Sequence, residues 1–168
     1  MQNARDTFYM TMRDRLAVLN PARTIVVRGV TRPGLLVVEN ELASEVELVD
    51  TFCLHWSLLK TDARAVLPLV SAECVIHYAT DGSSGSGGMD RGRLLAGMDG
   101  ELLAAVSSAP QHAPKQNYTS DVAGGSPTAM LTNIWWSDVT FSPVVADGER
   151  LRRTATVTVM SYQEAGEL

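Results

Sequence analysis

The chain has 168 residues, 45% of them apolar and 20% charged, with a net charge of −5. A chain of this length buries roughly 70% of the surface its unfolded form exposes, so one domain, 1–168, needs no disulfide or metal to hold its core. No apolar run approaches the roughly 18 residues of a membrane span, no signal-peptide core follows the N-terminus, and mild acidity disfavours a nucleic-acid ligand.

Residues 4–19 are predicted to form a helix, because Phe8, Met12, Leu16 and Leu19 recur at helical spacing and Asn20-Pro21 ends the pattern. The β-branched run Thr24–Val30 then reads as a strand, Arg32-Pro33-Gly34-Leu35 as a type II turn, and Leu35–Glu39 as the second strand of a hairpin. Residues 50–59 alternate, with Phe52, Leu54, Trp56 and Leu58 on one face and Cys53, His55 and Ser57 on the other. Residues 61–70 read as a short helix or loop, and Glu73–Thr80 as another alternating strand.

Residues 81–88 are rich in Gly and Ser and are expected to be a mobile loop. A helix over 90–107 follows, with Leu94, Leu95, Met98, Leu102 and Val106 as its apolar stripe and Gly92, Gly97 and Gly100 offering close approach to a sheet. The aperiodic, Pro- and Gly-bearing segment 108–130 is expected to be a second mobile loop. Asn133–Ser142 and Leu151–Tyr162, joined through the Asp147-Gly148 turn, complete a final hairpin. The expected class is α+β: a mostly antiparallel sheet with an N-terminal helix and a second helix packed on it.

Catalytic and metal signatures are weak. Cys53, His55, Cys74 and His77 are the ligand types of a zinc site, but Cys74 and His77 point to opposite faces of a regular strand, so no metal site is assigned. A Cys53–Cys74 disulfide is conceivable only if their strands are neighbours. The serines of 83–86 lie outside any nucleophile elbow, and no phosphate loop or dinucleotide fingerprint occurs. No catalytic residue and no cofactor are therefore assigned. Of the adjacent Trp135 and Trp136, one belongs to the core and the other to the surface or an interface.

Charge is unevenly placed. Twelve of the fourteen basic residues are arginine, and Arg5, Arg13, Arg15, Arg23, Arg28 and Arg32 precede an acidic block of Glu39, Glu41, Glu45, Glu47 and Asp50. Two solvated faces account for this, and so does a head-to-tail assembly in which one copy's positive patch meets its neighbour's negative one. The candidate interface residues are Arg13, Arg15, Arg28, Glu39, Glu41, Glu45, Glu47 and Trp135.

The order of elements resembles the tail terminator and tail completion proteins of long-tailed bacteriophages and their prophage relatives. The resemblance rests on the opening amphipathic helix, the early strands around Pro33-Gly34, the strand Glu73–Thr80 leading through a loop to a helix, and the closing run Thr156-Val157-Thr158-Val159-Met160-Ser161-Tyr162. It departs at 108–130. It implies a self-assembling ring, typically a hexamer, that caps the tail tube and joins it to the head. The partners would be further copies of itself and the tail-tube and neck proteins, and the site of action the bacterial cytoplasm and then the virion. The alternatives are a small-molecule-binding or catalytic domain with a pocket near His55, His77 and Tyr78, and a head–tail connector component.

Overall fold

The computed structural model describes residues 1–38, 48–64, 66–118 and 126–167. The fold is α+β, with an N-terminal helix and a mostly antiparallel sheet. Helix α1, Gln2–Leu19, buries Ala4, Phe8, Met12 and Leu16, one residue in four, with Thr7 beside them. It ends at Asn20, whose N–H still donates to the Leu16 carbonyl at 2.9 Å, because Pro21 has no N–H to continue the ladder. Leu19, expected on the buried stripe, is exposed: the next position of the four-residue row is Asn20.

The first hairpin differs from the expectation. Among the described residues strands β1, Thr24–Val27, and β2, Val30–Pro33, pair only with each other, and their turn lies at Arg28-Gly29 rather than at Pro33-Gly34. Both turn residues have positive φ, 50° and 80°. A tight two-residue turn needs that pair of angles to match strand twist, and proline cannot adopt them. Gly34 serves a close crossing instead. Its N–H donates to the Arg23 carbonyl, its own carbonyl accepts from Phe52, and a Cβ there would meet Arg23 Cγ at 3.0 Å.

Strand β3, Leu35–Val37, then enters the main sheet parallel to β4, Phe52–Asp62. The remaining strands are β5 (Leu69–Thr80), β6 (His112–Asn117), β7 (Thr128–Trp136), β8 (Thr140–Phe141), β9 (Val145–Asp147) and β10 (Arg150–Tyr162). The spatial order is β3-β4-β5-β10-β7-β6, with β8 and β9 also paired to β10. The segment 61–70 is thus the end of the β4–β5 hairpin. The segment 108–130 is not one long loop, since it contains β6 and the start of β7; residues 119–125 lie outside the described residues. Proline is tolerated in β6 because this is an edge strand, on which N–H positions facing outward have no neighbouring strand to bond.

Both helices cover one face. Phe52, Leu54, Cys74, Ile76, Ala155, Val157, Val159, Ile134 and Trp136 meet Phe8, Met12 and Leu16 of α1 there, together with Leu95, Met98, Leu102 and Val106 of α2, Arg91–Ser107. Phe8 lies at the centre, edge-on to Trp136 at 5.6 Å and to Trp56 at 6.0 Å. Leu94 is exposed and Ala105 takes a buried place in the stripe. Gly92, Gly97 and Gly100 face open space, so they give no close approach to the sheet. A register shift between Trp56 and Leu58 reverses the alternation of β4. Leu58, expected inside with Trp56, consequently points to the opposite face.

Phe8→Ala should lower stability by about 3–5 kcal/mol through lost burial and the cavity left behind. Leu58→Ala should change it by no more than about 0.5 kcal/mol. Urea unfolding of the two variants tests the face assignment, and a large loss at Leu58 would refute the reversal.

Candidate functional site

The opposite face of the sheet carries Cys53, His55 and His77, three of the side chains the sequence offered for chemistry. Cys53 stands across from His77 and His55 across from Val75, and the two imidazole rings lie 6.5 Å apart. Cys74 stands across from Trp56 and faces the helices. The zinc set is therefore divided between two faces, and so is the cysteine pair. Among the described residues, no group of three or more His, Cys, Asp and Glu is placed to hold a metal ion. Tyr78 is buried on the helix side, so it does not line one pocket with His55 and His77.

Tyr78 has a different role. Its hydroxyl donates to Asp99 Oδ1 at 2.5 Å, and Arg153 Nη1 donates to Asp99 Oδ2, also at 2.5 Å. Burial, then the Asp99 carboxylate, push the phenol well above its ordinary pKa, so it stays a neutral donor. Arg153 also donates to the Ser142 carbonyl and lies 5.0 Å over Phe141. This bridge fixes α2 to β5 and β10. Both charges were detectable, because Asp99 sits on the apolar stripe of its helix and Arg153 shares the parity of Ala155 and Val157.

The Ser-rich loop is internally braced. Asp90 accepts the Ser83 N–H at 2.9 Å, the Ser83 hydroxyl at 2.7 Å and the Ser86 hydroxyl at 2.5 Å. Those hydroxyl bonds hold its carboxyl far below the usual range. Arg91 ties the same loop to the Gly88 and Glu149 carbonyls, and Arg150 grips Asp81 through two bonds of 2.6 and 2.9 Å. The serines therefore act as braces around a short 3-10 turn, Ser84–Ser86.

A third cluster gave no sign in the sequence. Lys115 is 0% exposed. Its ammonium donates to the Tyr162 carbonyl at 2.6 Å and to Glu167 at 2.7 Å, with Glu164 at 3.4 Å. Burial alone would raise the Glu164 pKa. The Thr132 hydroxyl, the N–H groups of Leu131 and Thr132, and Lys115 bring it down to about 2. Lys115 lies in an Ala-Pro-Lys-Gln-Asn stretch without periodicity, so its burial follows from β6 alone.

The assigned interface residues are scattered. Arg15 donates to the carbonyls of Ala105, Ser108 and Pro110 at 2.8, 3.0 and 2.6 Å, completing the C-terminal end of α2, and lies 5.1 Å over Trp136. Arg13 stays on the helix surface, 3.6 Å from Asp14, and Arg28 forms the tip of the first hairpin. Glu39, Glu41, Glu45 and Glu47 lie outside the described residues. Trp136 is core, its indole N–H donating to the Val106 carbonyl at 2.9 Å, while Trp135 is on the other face, 5.4 Å from Tyr162.

Exposed apolar side chains are spread over the helices, the loops and the hairpins, among them Val18, Met89, Leu103 and Leu131. Val26 and Val30 lie on β1–β2, and Leu58, Leu59, Val66 and Leu67 on the β4–β5 end. Beside the latter, Lys60, Asp62, Arg64, Leu69 and Ser71 line an open depression of about 580 Å³. A second, of about 310 Å³, is bounded by Asp81, Asp147, Glu149, Arg150 and Arg152. No helix among the described residues is long and apolar enough to cross a membrane. Searches against protein-family models and curated proteins find no match.

Lys115→Met should cost about 3–5 kcal/mol, since it leaves buried carboxylates without their cation. The Glu164 carboxyl has a folded pKa of about 2, below its ordinary 4.5. Its contribution to stability is therefore complete above pH 4.5 and is lost as the pH falls toward 2. The stability gap between wild type and Glu164→Gln should be constant above pH 4.5 and narrow below it, as followed by urea unfolding at each pH.

Proposed function

We propose that the chain is a structural subunit of phage tail terminator type, which self-assembles into a ring, capping the tail tube and joining it to the head. Its partners are then copies of itself and the tail-tube and neck proteins, met first in the bacterial cytoplasm and afterwards in the virion. The observation that carries this reading is the division of labour among the side chains. Tyr78, Asp99, Arg153, Ser83, Ser86, Asp90 and Lys115 are engaged in holding elements together. Large apolar residues, by contrast, are left exposed, among them Val26 and Val30 on β1–β2 and Leu58, Leu59, Val66 and Leu67 at the β4–β5 end. Exposed apolar surface of this kind suits a protein that works by contact with other chains. The opening helix and antiparallel sheet are compatible with the tail-protein resemblance.

Sedimentation equilibrium should give a mass that is a multiple of 18.1 kDa, with the hexamer expected, and negative-stain images should show rings. A monomer at every concentration, or a compact oligomer without a central opening, would refute the ring.

A further inference from the structure

An edge strand displays unpaired backbone donors and acceptors, and folded proteins cover or blunt such edges. Among the described residues the main sheet has two lateral edges. At one, β6 is shielded: Pro114 has no N–H, and the Gln116 N–H donates to the Thr7 hydroxyl of α1 at 2.9 Å. At the other, β3 covers β4 only along Phe52–Leu54. Beyond it β4 continues to Asp62, paired through Leu69–Glu73 on its inner side and with no described strand on its outer side. Residues 58–61 of this open stretch are exposed, with Leu58 at 44% and Leu59 at 52%.

We infer that the outer edge of β4 at residues 58–62 pairs antiparallel with the same edge of a second copy, about a two-fold axis at Thr61. The side chains select both the occupant and the register. With Thr61 opposite itself, Lys60 lies directly opposite Asp62 of the partner subunit, and the pair occurs twice. Residues directly opposite in an antiparallel ladder share a face, where unlike charges attract. On the other face Thr61 meets its own copy. A shift of one residue in each copy, centring the axis on Lys60, would place the two ammonium groups against each other. The lysine that would blunt this edge against itself is thus matched by a carboxylate two residues away. Asp62 already accepts three bonds from Arg64, the backbone N–H at 3.1 Å and Nε at 2.8 Å on Oδ1 and Nη2 at 2.5 Å on Oδ2, which leaves a lone pair on Oδ2 for the incoming ammonium.

This contact is two-fold and isologous, so it goes beyond the ring reading and does not require it; a ring needs a separate head-to-tail contact. The test measures mass by sedimentation for wild type, Lys60→Asp, Asp62→Lys and the double swap. Either single swap should halve the assembly mass, and the double swap should restore it. Thr61→Cys should form an intersubunit disulfide under mild oxidation, whereas Leu58→Cys, far from its own copy in this register, should not. A plain dimer that Lys60→Asp takes to monomer upholds the pairing and removes the ring. A ring whose mass neither swap changes upholds the ring and overturns the pairing. A monomeric wild type, or a Leu58→Cys crosslink as strong as that at Thr61, also overturns the pairing.

Discussion

Strand β10 has to satisfy a neighbour on each side at once. Along one side it matches β5 continuously from Leu151 opposite Thr80 to Tyr162 opposite Leu69. Along the other it takes β9, β8 and β7 in turn. A strand so committed has little freedom in register, and its sequence respects that. Ala155, Val157 and Val159 face the helices, and Thr154, Thr156 and Thr158 face away. A slip of one residue would turn hydroxyls into the core and valines out of it. The alternation in β10 thereby sets which side of the sheet receives α1 and α2.

The charged residues complete what the apolar face begins. Arg23 bridges to Glu101 at 2.6 Å and holds the first hairpin against α2. Arg153 and Tyr78 hold Asp99, Arg15 closes the end of α2, and Lys115 gathers the segment after β10. Removing such groups from water offsets most of their attraction, so they specify where an element sits more than they add to stability. The arginine-rich composition acquires a physical sense here. A planar guanidinium can reach several carbonyls or a carboxylate fork at once, as Arg15 and Arg23 do.

Legibility in the sequence followed periodicity. Both helices, the faces of β5 and β10 and the α+β class were readable, because each rests on repeated apolar spacing over many residues. The places that misled are ones where a single residue changes the count. The bulge after Trp56 turns Leu58 outward, and positive φ at Arg28 moves a turn that Pro33-Gly34 advertised more strongly. Strand β6 was hidden because Pro114 and Lys115 are poor strand formers; its edge position and the carboxylates around Lys115 make them acceptable. The candidate site was less legible than the fold. Trp135 was correctly separated from Trp136, but Arg15 is engaged inside the chain, and no local pattern distinguishes an arginine that binds its own carbonyls from one that awaits a partner.

The position of α1 bears on how the chain closes. Its buried stripe lies within residues 4–16, yet part of the surface it covers comes much later in the chain: Asn3 bonds Met130 across 127 positions and Thr7 bonds Gln116 across 109. Closing a loop of that length costs on the order of 4 kcal/mol in chain entropy before any contact offsets it. Without β7 and β10, Phe8 keeps Trp56 beside it but loses Trp136, and the cover of Met12 and Leu16 is incomplete. The apolar stripe of α1 thus precedes, by a hundred or more positions of chain, the strands β6, β7 and β10 that complete its cover.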